Sequence, residues 1–150
     1  GSPPKKPLAS EPNFSARSEE AAAELAKQWH PYAHSRAREL FTREELHEVL
    51  CKLARGIGTA EDPVLGSEDT CVVWHGEVSK EDHHPAILMT KPSAAAESVT
   101  YVNRILPFVF AVDSSFERLM RLPKKPFKMS CGSQMCVNLT HVSFEVFDGP

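Results

Sequence analysis

The sequence of 150 residues predicts an α+β fold, and three observations carry that expectation. Two stretches in the first sixty residues place apolar side chains at helical spacing behind capping residues. Short β-branched runs bounded by turn residues follow them. A regular set of cysteines and a histidine then closes the chain, in the manner of a site that ties loops together.

The elements follow in order. Residues 1–17, rich in Pro, Lys and Ser, offer little to bury and read as a flexible tail or linker, with Gly1 and Ser2 as a tag remnant. Residues 18–150 read as one domain, a common size for a single hydrophobic core. "SEEAAAELAKQW" predicts a helix capped by Ser18 with acids in its first turn, ending at Pro31. "TREE" predicts a capping box from Thr42 to Glu45, and Leu46, Val49, Leu50, Leu53 and Ile57 form the apolar stripe of a second helix that stops at Gly56 and Gly58. "CVVWHGEV" and "PAILMTKP", separated by "SKEDHH", predict a β-hairpin whose His83 and His84 are solvated; Trp74 is expected in the core and His75 in a structural place. "ESVTYVNRILPFVFAVD" stays open between helix and strand because of Pro107. "SSFERLM" predicts a short helix capped by Asp113, Ser114 or Ser115.

Composition narrows the function. No apolar run approaches the roughly 18 residues of a membrane span, so no membrane partner is expected. The net charge of −3 lacks the basic excess of many nucleic-acid binders, yet "ERLMRLPKKPFK" sets five basic residues against one acid. Those residues are Arg118, Arg121, Lys124, Lys125 and Lys128.

Cys131, Cys136 and His141 are spaced five residues apart immediately after that cluster. Four cysteines also permit two disulfides in three pairings, or unconnected thiols, but two thiols and an imidazole in so short a stretch suit a structural Zn2+ better. A tetrahedral ion requires a fourth ligand from a distant segment. Cys71, at the start of a predicted strand, is the preferred candidate; Cys51, within the second helix, is the alternative.

The C-x-x-W-x-G of Cys71, Trp74 and Gly76, followed about sixty residues later by "CGSQMCVNLTH", resembles the zinc-binding loop region of His-Cys box homing endonucleases. The closing C-V-N-x-x-H is similar to the zinc-bound end of the Smad amino-terminal (MAD-homology) DNA-binding domain, a catalytically inactive relative. The resemblance covers about residues 70–145. It implies a ββα-metal core with one structural zinc, to which two preceding helices would suit the Smad-like branch. In the nucleases a histidine two residues before the first cysteine of the closing motif is the general base; Met129 stands there, and a thioether takes no proton at neutral pH. Nor does "VSFEVFDGP" after His141 contain the asparagine that holds the catalytic magnesium. Asn138 matches the family's loop asparagine, while Leu139 replaces the usual proline. The implied protein is not an enzyme but a zinc-stabilised domain of a larger nuclear protein that binds double-stranded DNA. Its basic cluster would hold phosphates and Lys80 would stand at the hairpin tip. The alternative is a protein-protein interaction module in a chromatin or nuclear complex; an active metal-dependent endonuclease comes third.

Overall fold

Ser18 begins helix α1 (Glu19–Trp29) as the sequence predicts, its hydroxyl accepting the Ala21 N–H at 3.1 Å. The computed structural model describes residues 16–59, 61–91 and 94–146. The tail expected over residues 1–17 lies outside the described residues as far as residue 15. Ala16 and Arg17, however, belong to the folded part: Ala16 bridges to Gly58, and the Arg17 guanidinium donates to the carbonyls of Ala54, Thr59 and Glu61. Those carbonyls lie at and beyond the end of the third helix, where backbone acceptors lack helical partners, and this need draws Arg17 in.

A 3-10 turn at His30–Tyr32 accommodates Pro31 and leads into α2 (Ser35–Leu40), a short helix that sequence reading passes over. Helix α3 (Arg43–Arg55) carries the predicted capping box: Thr42 Oγ1 accepts the Glu45 N–H at 3.0 Å, and Glu45 Oε1 accepts the Thr42 N–H at 2.8 Å. Its buried stripe of Leu46, Val49, Leu50 and Leu53 meets Ala22, Leu25, Ala26 and Trp29 of α1. Ile57, Val102, Leu106, Val109 and Val137 extend the same core.

The hairpin forms later in the chain than expected. Strands β1 (Ala86–Thr90) and β2 (Glu97–Tyr101) pair antiparallel, from Ala86 opposite Tyr101 to Thr90 opposite Glu97. Where the hairpin was expected, its turn end does pair, with Val78 bridging to Pro85 and the Ala86 N–H donating to the Glu77 carbonyl at 3.0 Å, while the earlier part of "CVVWHGEV" is an irregular strap. Its Val72 carbonyl accepts from Val137 N–H, Trp74 N–H donates to Met135 and His75 N–H to Gly56, so its backbone groups are taken by three different places. Trp74 is buried as predicted, with Nε1 donating to the Glu77 carbonyl at 2.7 Å. Gly56 and Gly76 let the indole lie against bare backbone, since a methyl group at either would collide with the ring.

The ambiguous segment resolves into β2 followed directly by α4 (Val102–Phe110), which continues through Pro107. Helical spacing of Val102, Ile105, Leu106 and Val109 outweighs the lost N–H, and Arg36 of α2 donates to the carbonyls of Pro107, Phe108 and Ala111 at the helix end. Helix α5 (Asp113–Met120) has Val112 at its N-cap without a side-chain bond, so the expected caps Asp113, Ser114 and Ser115 fall inside the helix. Strands β3 (Phe127–Met129) and β4 (Val142–Val146) form a second antiparallel pair whose register shifts between Phe127 and Met129. The architecture is therefore mixed α+β, with two small hairpin sheets. No helix among the described residues is long and apolar enough to cross a membrane.

Candidate metal centre

The loop between β3 and β4 is folded tightly on itself. Gly132 sits at φ +81°, a left-handed value that suits glycine, and its N–H donates to the Met129 carbonyl at 2.9 Å, which turns Cys131 back toward the loop. The Ser130 N–H donates to the His141 carbonyl at 2.6 Å and closes the loop at its base. From the other side, Val73 bridges to Cys136 and Val137 N–H reaches the Val72 carbonyl at 2.7 Å, which brings Cys71 alongside.

The result is a cluster of three cysteines and one histidine. One donor atom each from Cys71, Cys131, Cys136 and His141 lies within 4.8 Å of the others. His141 Nδ1 stands 3.4 Å from Cys136 Sγ and 4.0 Å from Cys71 Sγ. Its other nitrogen, Nε2, is 2.8 Å from the Glu68 carbonyl; an N–H there donates to that oxygen and leaves Nδ1 free to ligate. Cys136 is 1 % exposed, whereas Cys131 is open to solvent. The structure thus joins Cys71 to the C-terminal ligands. Cys51 is elsewhere, on α3, with Sγ 3.4 Å from His47 Nε2. All four cysteines are free thiols.

The protonation chemistry of the cluster asks for a cation. Burial pushes the Cys136 thiol up to about 12, against the Asn138 and Val72 N–H groups that favour its thiolate. Cys71 is raised, first by its hydrogen bond to Cys131 and then by burial. At Cys131 burial also acts upward but is outweighed by the Ser133 N–H and by hydrogen bonds from the other ligands, which bring it to about 7. Three sulfurs this close cannot all ionise in each other's presence without a positive charge among them. A metal ion would supply that charge, and the four side chains could hold one.

Asn138 organises the centre from behind. Its Nδ2 donates to the carbonyls of Ser67 and Thr70 at 2.9 and 2.8 Å, and Oδ1 accepts from Thr140 N and Oγ1. One buried amide therefore anchors both the Cys71 side and the His141 side. The motif match singled it out; the Glu68 carbonyl, being backbone, carries no signal in side-chain identity.

The other expected site residues are not gathered into one place. Arg118 lies over the Phe144 ring at 4.0 Å and Lys128 pairs with Glu145 at 3.8 Å, so both flank β4. Arg121, Lys124 and Lys125 are exposed on the intervening turn and make no ion pair among the described residues. Lys80 is exposed in the turn that the Val78–Pro85 pairing closes, as expected, but apart from the β1–β2 tip after Thr90. His84, expected to be solvated, is 2 % exposed and packs edge-on against Tyr101, because Tyr101 OH donates to Asp82 and draws that turn inward. His83 remains exposed. Met129 is 4 % exposed; Asn103 of α4 donates to its Sδ at 3.8 Å and exchanges amide bonds with Phe127, a tie that periodicity did not reveal.

These features define an α+β protein with a candidate metal centre of three cysteines and a histidine. A scan against family models and searches of curated proteins and of solved structures found no match.

Proposed function

We propose that this chain is a zinc-stabilised DNA-binding domain of a larger nuclear protein, on the catalytically inactive, Smad-like branch of the His-Cys box nuclease fold it resembles. The convergence of Cys71 with Cys131, Cys136 and His141 carries this reading, because these are the positions that the motif matches. Zinc with bonds of about 2.3 Å to sulfur and about 2.0 Å to nitrogen sets a tetrahedral sulfur–nitrogen edge of roughly 3.5 Å and a sulfur–sulfur edge of roughly 3.8 Å. The 3.4 and 4.0 Å separations of the Cys136 and Cys71 sulfurs from His141 Nδ1 bracket the sulfur–nitrogen edge. Donor sets rich in thiolate, with one imidazole, favour zinc over the harder cations. The order β3, metal loop, β4 is consistent with the two strands of a ββα-metal unit.

DNA is the favoured partner because the basic segment runs straight into this centre through β3, with Arg121, Lys124 and Lys125 unpaired by acids among the described residues. No nuclease step belongs to the proposal, since the base position is a buried thioether. The test has two parts. Elemental analysis should find about one zinc per chain. Fluorescence anisotropy with generic duplex DNA should show salt-sensitive binding, with a log-log slope of about −4.5 if all five basic residues reach phosphates. Lys124→Glu with Lys125→Glu should weaken it for every sequence. Absence of binding at low salt sinks the DNA reading. It would favour the interaction module, for which Leu88 and Val99, exposed and directly opposed on the β1–β2 hairpin, offer an apolar face.

A further inference from the structure

A second concave site lies on the helical side of the molecule. Between the end of α1 and the start of α3 is a cleft of about 1030 Å³. That is near the top of the roughly 300–1,000 Å³ typical of small-molecule sites. Its rim carries Lys27, His30, Arg38, Arg43 and His47, with Glu44 the one acid among the described lining residues. Buried Phe41 and Leu46 give it an apolar floor.

Three further observations separate this rim from an ordinary solvated charged surface. Arg38 is pinned over the cleft by donating to the His30 carbonyl at 2.8 Å, which leaves its remaining N–H groups without acceptors among the described residues. Arg43, like Arg38, makes no ion pair among the described residues, while Lys27 meets Glu24 at 3.8 Å in an exposed pair, so it is the two guanidinium charges that the fold leaves unbalanced. His30 Nε2 is sealed from solvent and has no hydrogen-bond partner among the described residues. Burial first, then the neighbouring charges of Arg43, Arg38 and His47, lower this imidazole from its ordinary range against the raising effect of the Arg43 backbone. Guanidinium groups converging above an apolar floor match a phosphate joined to an apolar body.

The geometry points to this cleft as a binding site for a small phosphorylated ligand, its phosphate held by Arg38, Arg43 and Lys27 and its body laid against Phe41 and Leu46. The probe is adenosine diphosphate, titrated calorimetrically into the metal-loaded chain at low salt. It should bind with a dissociation constant below about 1 mM. Arg38→Glu with Arg43→Glu, both on exposed side chains, should weaken it at least about tenfold while thermal unfolding and metal content stay unchanged. Inorganic pyrophosphate should bind more weakly, because it leaves the apolar floor uncovered; equal affinity would overturn the role of Phe41 and Leu46. No binding of adenosine diphosphate at about 1 mM, or equal binding by the double variant, overturns the site. If the variant loses only duplex DNA, and adenosine diphosphate neither binds nor competes, the cleft serves a polymer backbone and the small-ligand assignment fails. Lys124→Glu with Lys125→Glu should leave adenosine diphosphate binding intact, so this result and the DNA titration are read separately.

Discussion

Helices α1 and α3 cap their own ends and bury a shared stripe of leucine, alanine and tryptophan. The segment from Phe127 to Val146 has two short strands, an interrupted register and three side chains turned toward one point. Phe127 and Met129 are buried outside the main core, while Val72, Trp74 and Val137 lie within it. The metal loop is joined to the helical part through the strap that also delivers Cys71, through Val137 in the core and through the Asn103 bonds to Phe127 and Met129. Order in the first region follows from apolar burial; order in the second is expected to depend on ligation, because its regular hydrogen bonding is too sparse to fix the loop alone.

The strongest way to break this comparison is to remove the metal. Structural zinc contributes on the order of 10 kcal/mol in small domains. Chelation, or Cys136→Ser, should therefore abolish amide-exchange protection across residues 127–146 and the strap, while α1 and α3 keep theirs. Simultaneous loss of protection in both regions would mean that they are one cooperative unit. The pH dependence sharpens the contrast. Metal binding needs three thiolates, so the metal-free state holds more protons, and the metal's contribution should fade as pH falls below neutrality. Urea unfolding across pH should show that loss toward acid in metal-loaded protein, and chelator should remove it.

A smaller effect is expected on the helical side. Leu50 is fully buried where α3 meets the core, and Leu50→Ala should cost about 2–5 kcal/mol in chemical unfolding. Zinc content per folded chain should not change. Loss of metal from the folded variant would show that the helical core sets the ligand geometry, against the division drawn above.

The same division explains what could be read from the sequence. Ser18, the Thr42–Glu45 box and the stripe from Leu46 to Leu53 are local signals, and they give α1 and α3 almost to the residue. The ligand set was legible because cysteine and histidine announce their chemistry wherever the chain puts them. The β-hairpin was legible only at its turn, where Val78 pairs with Pro85. "CVVWHGEV" has strand composition, but its N–H and C=O groups are claimed by Gly56, Met135 and Val137, three contacts distant in sequence. Pro107 likewise obscured α4, whose end is completed by Arg36 from about seventy residues earlier. His84 was misplaced for the same reason: the Tyr101–Asp82 bond that turns its loop inward joins residues whose pairing no periodicity encodes.

Asn138 offers the finest test, because it touches both sides of the centre without ligating. Its side chain spans the carbonyls of Ser67 and Thr70 and the Thr140 hydroxyl, and its N–H lies 3.5 Å from Cys136 Sγ. Asn138→Ala keeps the backbone N–H but removes the two bonds to the Ser67 and Thr70 carbonyls on an exposed loop, at about 0.5–1.5 kcal/mol each. By loosening the approach of Cys71 and His141 it should also lower metal affinity by about 10- to 100-fold. Competition with a chromogenic chelator measures the second effect, and urea unfolding at saturating zinc measures the first. If affinity falls while stability at saturating zinc is nearly restored, Asn138 acts by positioning the ligands. A stability loss that zinc cannot offset, with affinity unchanged, would instead make it an ordinary buried amide. The metal loop would then owe its order to packing, as the helices do.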